Sequence, residues 1–323
     1  MTEWWQRLDR RITLEVVRVT EAAAVSAFRH VGRGDETLAD HAATVAMRKA
    51  LNGCEIDGIV VIGEGERDEA PMLYIGEKVG TGRGPKVDIA LDPLEGTTLT
   101  AKAMQNALTV VAVAEAGTML HAPDTYMDKI AIGPGYPEGV VDLDASAEDN
   151  IHALAKAKGV KTSEITACIL DRPRHHDIIA AVRGTGAAIR LITDGDVAGV
   201  IHTADPLTGI DIYMGQGGAP EGVLAAAALQ CVGGQIQGRL VFRKDEEVAR
   251  AERCGITDLK KKYALTDMVS GECVFAATGV THGSMLRGVR IENGLALTHS
   301  VVMRSATKTV RWLETRKPIY GDD

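Results

Sequence analysis

Apolar side chains return every three or four residues through the first part of the chain. This spacing holds from about Arg7 to Val31 and again from about Thr37 to Asn52, where Leu38, Ala42 and Val45 share one face. A repeat of this length is typical of an amphipathic α-helix whose apolar face is buried. The pattern therefore predicts two long helices before the first strand.

Short apolar runs with β-branched residues follow the two helices. They predict strands at Asp57–Ile62, Val87–Asp92, Ala107–Ala114 and Lys129–Ile132. Proline has no amide hydrogen for a β-ladder, so Pro93 predicts that the second of these strands stops at Asp92.

The second half of the chain alternates apolar runs with helical segments. Predicted strands lie at Ile165–Leu170, Ala188–Thr193, Ile210–Met214, Cys273–Ala277, Met285–Ile291 and Leu295–Met303, the last continuing toward Trp312, and helices at Ala147–Lys158, Arg174–Arg183, Val197–His202, Val223–Leu229 and Arg243–Gly255. Such alternation is typical of parallel or mixed sheets with helical crossovers, so we predict an α/β fold with α+β layers. A polar acidic stretch before Ala147 predicts a boundary between residues 1–146 and 147–323.

Composition indicates a globular protein of ordinary make-up. The chain has 323 residues, 45% of them hydrophobic and 25% charged, enough to bury a large core. A net charge of -8 argues against nucleic acid as a general partner. No apolar run reaches the length of a membrane span, and the first residues lack the apolar centre of a signal peptide, so we expect a cytoplasmic protein without a membrane partner. The five cysteines have no close pairing and are predicted to be reduced structural thiols.

Several nucleotide and metal motifs are missing from the sequence. The glycines of Gly80–Gly84 lack the dinucleotide-binding spacing and precede a strand. There is no phosphate-binding loop of the G-x-x-x-x-G-K-[ST] type and no H-E-x-x-H pair among the scattered histidines.

Carboxylates follow two of the predicted strands. Asp92 and Glu95, with Thr97 beside them, follow one strand, and Glu64 and Asp68 follow the other. Oxygen donors of this kind suit Mg²⁺ or Mn²⁺ better than zinc. Each group taken alone is also compatible with an exposed acidic turn, but two such strand ends favour a shared cation site.

Two further acidic residues, Asp40 and Glu221, each have a structural and a functional interpretation. Asp40 lies on the polar face of the second predicted helix, either solvated or directed at a site. Glu221 lies in the first turn of a predicted helix, where it either interacts with the helix dipole or binds a ligand. Metal-assisted phosphomonoester hydrolysis is the first chemistry to test, because that reaction requires charge neutralisation. A non-catalytic sugar-phosphate or nucleotide-binding module with a structural ion is the alternative, and the hydroxyl of Thr97 argues against it.

The segment Asp92-Pro93-Leu94-Glu95-Gly96-Thr97 resembles the D-P-[IL]-[DE]-G-[ST] motif of the lithium-sensitive, metal-dependent sugar phosphatases. Other stretches resemble the class II, GlpX-type fructose-1,6-bisphosphatases, and the similarity runs from about Glu15 to Trp312. These stretches are Gly32–Asp35, Thr37–Asp40, Ile62–Glu66, Asp68–Glu77 and Gly217–Gly222. The resemblance implies an α-β-α-β-α sandwich and a metal-dependent hydrolase that removes the 1-phosphate of fructose 1,6-bisphosphate. It leaves sedoheptulose 1,7-bisphosphate, both bisphosphates and inositol phosphate as alternative substrates, and it implies a homodimer or homotetramer.

The resemblance also implies roles for individual residues. The metal-binding positions are Asp40, Glu64, Asp92, Glu95 and Glu221. Thr97 is implied to orient the attacking water with a carboxylate, either Asp40 or, as second choice, Asp68. The substrate-binding positions are Glu95, Gly96, Thr97, Tyr126, Arg172, Pro173, Arg174, Asp194, Gly195, Asp196 and Gly218. Arg172 stands where a lysine is common, which could alter how the distal phosphate is held.

Overall fold

The computed structural model describes residues 11–65 and 72–319. Its helices are α1 (Ile12–Phe28), α2 (Glu36–Leu51), α3 (Thr97–Ala101), α4 (Ala147–Lys158), α5 (His176–Gly184), α6 (Asp196–Ile201), α7 (Ala219–Val232), α8 (Asp245–Arg253) and α9 (Leu265–Met268). Its strands are β1 (Asp57–Ile62), β2 (Lys78–Val79), β3 (Lys86–Glu95), β4 (Leu108–Glu115), β5 (Tyr126–Ile132), β6 (Thr166–Leu170), β7 (Ala188–Ile192), β8 (Ile212–Gly218), β9 (Gln235–Val241), β10 (Lys262–Ala264), β11 (Cys273–Gly279), β12 (Arg290–Glu292), β13 (Leu295–Arg304) and β14 (Thr309–Pro318).

The chain forms two compact units, one made of Met1–Met119 with Gly271–Asp323 and the other of Leu120–Ser270. This division differs from the predicted boundary between residues 146 and 147. The reason is strand pairing over a long sequence separation, because β11 pairs with β4 and so brings the end of the chain back to the first unit. Local patterns do not show which distant strands pair.

The first unit contains an eight-stranded mixed sheet. The strand order is β12-β13-β11-β4-β3-β1-β2, and β14 pairs with β13. Among the strands of this sheet that the structure describes, only the β1–β3 pair is parallel. Helices α1 and α2 pack against each other, α1 on β4, β11 and β13 and α2 on β3. The core between helices and sheet includes Ala23, Met47, Ile89 and Val111, all fully buried.

The second unit contains a six-stranded mixed sheet in the order β10-β9-β5-β8-β6-β7. Side chains alternate along β5 between its two faces. Ile130 and Ile132 belong to a core with residues of α4 and α5. Met127 and Lys129 face α7, where a Cβ on Gly222 would lie 2.7 Å from Met127 Sδ. Helices therefore cover both faces of this sheet.

The α/β class predicted for the chain is confirmed, with helices packed on a mixed sheet in each unit. The α-β-α-β-α order of layers stays an expectation from the family resemblance. The prediction that the cysteines are unpaired is also confirmed, because all five are free thiols and four are buried. Within residues 11–65 and 72–319, no helix is long and apolar enough to cross a membrane.

Three strand predictions were wrong. Strand β3 does not stop before the proline but runs on to Glu95. Of the strand predicted at Met285–Ile291, only a short β12 at Arg290–Glu292 exists. The last strand does not continue to Trp312, because Lys308 adopts a left-handed conformation and the chain reverses into β14, antiparallel to β13.

Candidate active site

A β-bulge at the end of β3 brings Asp92 and Glu95 to the same side of the strand. In regular pairing, residues three apart point to opposite faces. Here Asp92 pairs with Val110 and Glu95 with Leu108, so β3 has one extra residue between the two carboxylates. Pro93 lies inside this irregular stretch, where its missing amide hydrogen is tolerated. Carboxylate oxygens of Asp92 and Glu95 consequently lie within 4.8 Å of each other.

The parallel pairing of β1 with β3 brings a third carboxylate to the same edge. Ile62 is in register with Ala90, and Glu64 and Asp92 each lie two residues further along. Parallel strands end at a common edge of the sheet, so the two acidic turns meet there. We call Asp40, Glu64, Asp92 and Glu95 the carboxylate cluster.

Asp40 reaches the cluster from α2. Its carboxyl group interacts directly with that of Glu64, and the hydroxyl of Thr44, one turn further along α2, lies 3.5 Å from Glu64 Oε2. Burial, followed by the negative charges of Asp40 and Asp92, raises the pKa of Glu64 to about 9. Burial also raises the pKa of Asp40. Asp40, Glu64 and Asp92 therefore resist being ionised all at the same time.

The chemistry of this cluster fits a divalent cation. All four side chains offer hard carboxylate oxygens, which Mg²⁺ and Mn²⁺ prefer. Positive charge beside Asp40, Glu64 and Asp92 would offset their mutual repulsion and favour the ionised forms. The carboxylate cluster could therefore hold a metal ion.

Thr97 is the first residue of α3, directly after the bulge. Gly96, which precedes it, has φ +93°, a left-handed conformation that favours glycine. Helix α3 packs against α2, the helix that carries Asp40. The turn between α1 and α2 ties the elements together, since Gly32 N and Gly34 N donate to the carbonyl oxygens of Thr100 and Ala101. This packing places the start of α3 next to the helix that supplies Asp40.

The loop after Glu64 is anchored by a buried glutamate. Glu77 accepts a hydrogen bond from Arg48 Nε of α2 at 2.6 Å and another from the backbone N–H of Leu73. Leu73 O in turn accepts from Glu64 N at 3.0 Å. Glu77 ends one of the stretches that resemble the family, Asp68–Glu77, but the sequence predicted no role for it. The predicted catalytic residue Asp68 lies outside the described residues.

In the second unit, most of the predicted substrate-binding residues lie at one edge of the sheet. Strand β6 is parallel to β7 and β8, so the residues after these three strands meet at the same edge. Tyr126 starts β5 there because β5 is antiparallel and pairs Tyr126 with Gly218. This edge is formed by Tyr126, Arg172, Pro173, Arg174, Asp194, Gly195, Asp196 and Gly218. Open α/β sheets commonly bind ligands beyond such strand ends.

Arg243 also belongs to this edge, although the sequence did not predict it. It follows β9, whose Val241 pairs with Tyr126. Its guanidinium carbon lies 3.7 Å from the centroid of the Tyr126 ring, and that of Arg174 lies 5.1 Å from the same centroid. Strand β9 was missed because its Gln, Gly and Arg positions obscure the apolar alternation, so the position of Arg243 could not be predicted.

Asp196, which was predicted to accept sugar hydroxyls, forms a buried ion pair. Its Oδ2 accepts a hydrogen bond from Lys129 Nζ. Lys129 Nζ also donates to the carbonyl oxygen of Gly218 at 2.9 Å. Lys129 is 2% exposed and Asp196 6% exposed. Lys129, which the sequence analysis treated only as part of a strand, therefore connects two predicted substrate-binding positions.

Glu221 lies in the first turn of α7, as predicted, with Pro220 in the same turn. Its carboxylate folds back over Gly218, where a Cβ would lie 1.8 Å from Glu221 Oε2. A side chain at position 218 would therefore displace the Glu221 carboxylate. The role of Glu221 as a metal ligand stays a prediction.

Clustered carboxylates near a hydroxyl residue, and strand ends rich in arginine, are each typical of enzymes that act on phosphate esters. Comparison with known proteins agrees with this class. The family model for bacterial fructose-1,6-bisphosphatase, glpX-encoded, matches residues 10–317. The chain belongs to this family.

Two relatives in sequence support the same assignment. The chain is 45% identical over 322 residues to fructose-1,6-bisphosphatase 1 class 2 of Escherichia coli strain K12, covering 95% of both chains. The identity and coverage are the same for the class 2 fructose-1,6-bisphosphatase of Shigella flexneri. Among solved structures, the extragenic suppressor protein suhB from Bartonella henselae aligns with a TM-score of 0.34 and 13% identity, over 61% of this chain and 74% of that one.

Proposed function

We propose that this protein hydrolyses the 1-phosphate of fructose 1,6-bisphosphate, releasing fructose 6-phosphate and inorganic phosphate. The observation that carries the proposal is the family match over residues 10–317, which includes every residue of the carboxylate cluster. A reaction of this kind suits gluconeogenesis or a Calvin-type cycle. The alternative of a non-catalytic binding module explains less, because a structural ion needs no adjacent Thr97.

The metal ligands in this proposal are Asp40, Glu64, Asp92 and Glu95, with Glu221 as the further predicted ligand. Their oxygens match Mg²⁺ or Mn²⁺. Bound there, such an ion supplies positive charge that offsets the charge on the phosphoryl oxygens. The clustering of Asp40, Glu64 and Asp92, with the raised pKa of Glu64, supports this assignment.

The chemical step needs a water molecule aligned with the phosphorus atom. The hydroxyl of Thr97 orients this water, and Asp40 accepts its proton, with Asp68 as the second candidate. The water oxygen forms a bond to phosphorus while the bond from phosphorus to the C1 oxygen breaks, and the C1 oxygen leaves as a hydroxyl after taking up a proton from solvent. The packing of α3 on α2 supports the pairing of Thr97 with Asp40.

The predicted substrate-binding residues of the second unit have roles of their own in this proposal. Arg172 and Arg174 bind the distal phosphate through charge-assisted hydrogen bonds. Asp194 and Asp196 accept hydrogen bonds from sugar hydroxyls. The ion pair with Lys129 supports this role for Asp196, because it fixes the orientation of the carboxylate.

The decisive experiment measures phosphate release from fructose 1,6-bisphosphate by the purified protein with Mg²⁺, with Mn²⁺ and with a chelator. We expect release that depends on the added ion. Glu95→Gln should remove activity from a folded protein, and Glu115→Gln, on the neighbouring strand β4, is the matched control. Activity that persists in the chelator or in Glu95→Gln would contradict the metal assignment.

Substrate preference requires a comparison of kcat/KM. Fructose 1,6-bisphosphate is expected to be the best substrate among fructose 1,6-bisphosphate, sedoheptulose 1,7-bisphosphate and inositol monophosphate. An equal kcat/KM for inositol monophosphate would contradict the proposed binding of a distal phosphate. A preference for the seven-carbon sugar would replace the proposed substrate while keeping the reaction.

The family resemblance also suggests a cytoplasmic enzyme that forms a homodimer or homotetramer. Sedimentation velocity over a range of protein concentrations gives the oligomeric state. A monomer at all concentrations would exclude both assemblies.

A further inference from the structure

Two guanidinium groups meet on one aromatic ring at the strand edge of the second unit. Arg243 is stacked closely on Tyr126, and Arg174 lies further out on the same ring. The ring attracts both cations, but the two like charges also repel each other. An anion that accepts hydrogen bonds from both would relieve the repulsion.

Gln216 contacts both arginines through different atoms. Its main-chain oxygen accepts from Arg174 Nη2 at 2.8 Å and Nε at 3.2 Å. Its side-chain Oε1 accepts from Arg243 Nη2 at 2.5 Å. A single residue thus sets the positions of both guanidinium groups.

Gln216 is itself held in place by two neighbours. Its side-chain Nε2 donates to Asp128 Oδ1 at 2.9 Å, which directs Oε1 toward Arg243. Its backbone N–H donates to Nε2 of the buried His175 at 2.8 Å. The other ring nitrogen of His175 donates to Leu170 O at 2.7 Å, so its Nε2 is the acceptor. Burial lowers the pKa of His175, which favours this neutral form.

Both arginines keep donors available for a ligand. Across residues 11–65 and 72–319, Nη1 of Arg174 and both Nε and Nη1 of Arg243 have no hydrogen-bond acceptor. Arg243 is exposed, and Glu247 fixes its backbone by accepting from Arg243 N. A phosphate dianion has enough acceptors to bridge two such groups.

We propose that Arg243 is a second cation of the distal-phosphate site, acting with Arg174, and that Gln216 is its positioning residue. This inference rests on the proposed function, in which Arg172 and Arg174 already hold that phosphate. It adds a specificity determinant from another strand end. A substrate without the second phosphate gains nothing from Arg243, so the residue favours bisphosphates over monophosphates.

The first test is Arg243→Gln, which removes the charge and keeps a polar side chain. We expect KM for fructose 1,6-bisphosphate to rise on the order of ten- to a hundred-fold, as for the loss of a charged hydrogen bond. The inhibition constant of fructose 6-phosphate, which carries only the distal phosphate, should rise by the same factor. The turnover number should change by less than about two-fold, since the contact exists equally before and during the reaction.

Arg183→Gln is the matched control, because it removes the same charge from an exposed position at the far end of α5. It should leave KM and the inhibition constant unchanged. If Arg243→Gln lowers the melting temperature, the same kinetic measurements are made on Arg243→Lys instead. Lysine keeps the charge without the planar fork, so KM should rise less but in the same direction.

The role of Gln216 is tested with Gln216→Met, alone and combined with Arg243→Gln. The substitution removes the amide but leaves the main-chain oxygen that holds Arg174. If Gln216 acts through Arg243, the double variant should have the same KM as Arg243→Gln alone. If the KM increases of the two single variants multiply in the double variant, Gln216 does not act through Arg243 and the positioning role is overturned.

The outcomes separate this inference from the proposed function. Wild-type protein without bisphosphatase activity would refute the function itself. An active wild type with an unchanged KM in Arg243→Gln would refute only the inference. A loss of turnover number at constant KM would refute it too, because that pattern places Arg243 at the reacting phosphate.

Discussion

The buried ion pair of Lys129 and Asp196 makes a strong prediction about stability. Lys129→Met removes the ammonium group and keeps most of the aliphatic stem. Asp196 would then be a buried carboxylate without its cation, and the hydroxyl of Tyr213 donates to it only at a long 3.4 Å. Gly218 would also lose a donor to its carbonyl oxygen.

The size of the effect follows from the burial of both partners. Breaking a buried pair by removing one charge is destabilising by about 3–5 kcal/mol. An exposed pair provides the control, because Arg18 and Glu15 on α1 have side chains that are 68% and 39% exposed. Arg18→Met should change the free energy of unfolding by less than about 1 kcal/mol.

Urea unfolding, monitored by circular dichroism, measures these differences in the free energy of unfolding. The comparison holds for variants whose m-value equals that of the wild type. The double variant Lys129→Met with Asp196→Asn should recover part of the loss, because it no longer buries an unpaired charge. A Lys129→Met protein within about 1 kcal/mol of wild type would refute the reasoning. A double variant less stable than Lys129→Met would refute it as well.

Three further predictions concern other parts of the protein. Burial lowers the pKa of His202 from the ordinary 6.5 to about 4. The stability of the folded protein is therefore unaffected by His202 above pH 6.5, and it decreases by about 3 kcal/mol as the pH falls toward 4, because the unfolded chain binds the proton more readily. The midpoint of urea unfolding at high and low pH checks this, and His202→Leu should lose the corresponding part of the dependence. Thr97→Val should lower the turnover number by about a hundred-fold or more with little change in KM, while Thr98→Val stays near wild type in a phosphate-release assay. Gly96→Ala should lower the melting temperature and the turnover number, because φ is +93° and the new Cβ would lie 2.8 Å from a leucine side chain; Gly117→Ala, also at positive φ but in open space, should show only the smaller backbone effect, about 1 kcal/mol.

Local sequence patterns predicted the helices and several strands well. Helix α2 was expected at Thr37–Asn52 and lies at Glu36–Leu51, and β1 has the predicted limits. Both elements follow from patterns that are visible within one segment. The predicted buried face of α2 was wrong, however, because Leu38 and Val45 are exposed while Ala39, Ala43 and Met47 are buried. Glu64 and Asp92 were also expected to share a site, since carboxylates followed two strands that proved to be parallel neighbours. Helical spacing left the direction of Asp40 open, and only the family resemblance gave it a metal-binding role.

The bulge in β3 could not be predicted from that repeat. Pro93 indicated an end to the strand, and in the folded protein the strand absorbs the proline and an extra residue opposite β4. Only the register with β4 shows that Asp92 and Glu95 face the same way. The motif identified both residues, and the sheet determined their common direction.

The sequence alone was sufficient for the α/β class, for the main helices and for the motif residues, because each depends on neighbours within a few positions. Tertiary structure decided the partition into units, the ion pair of Lys129 with Asp196, and the meeting of Arg243 with Arg174 on Tyr126. These features join segments that are far apart in the chain, and their positions follow from strand order and register. Local periodicity contains no information about which distant strands pair.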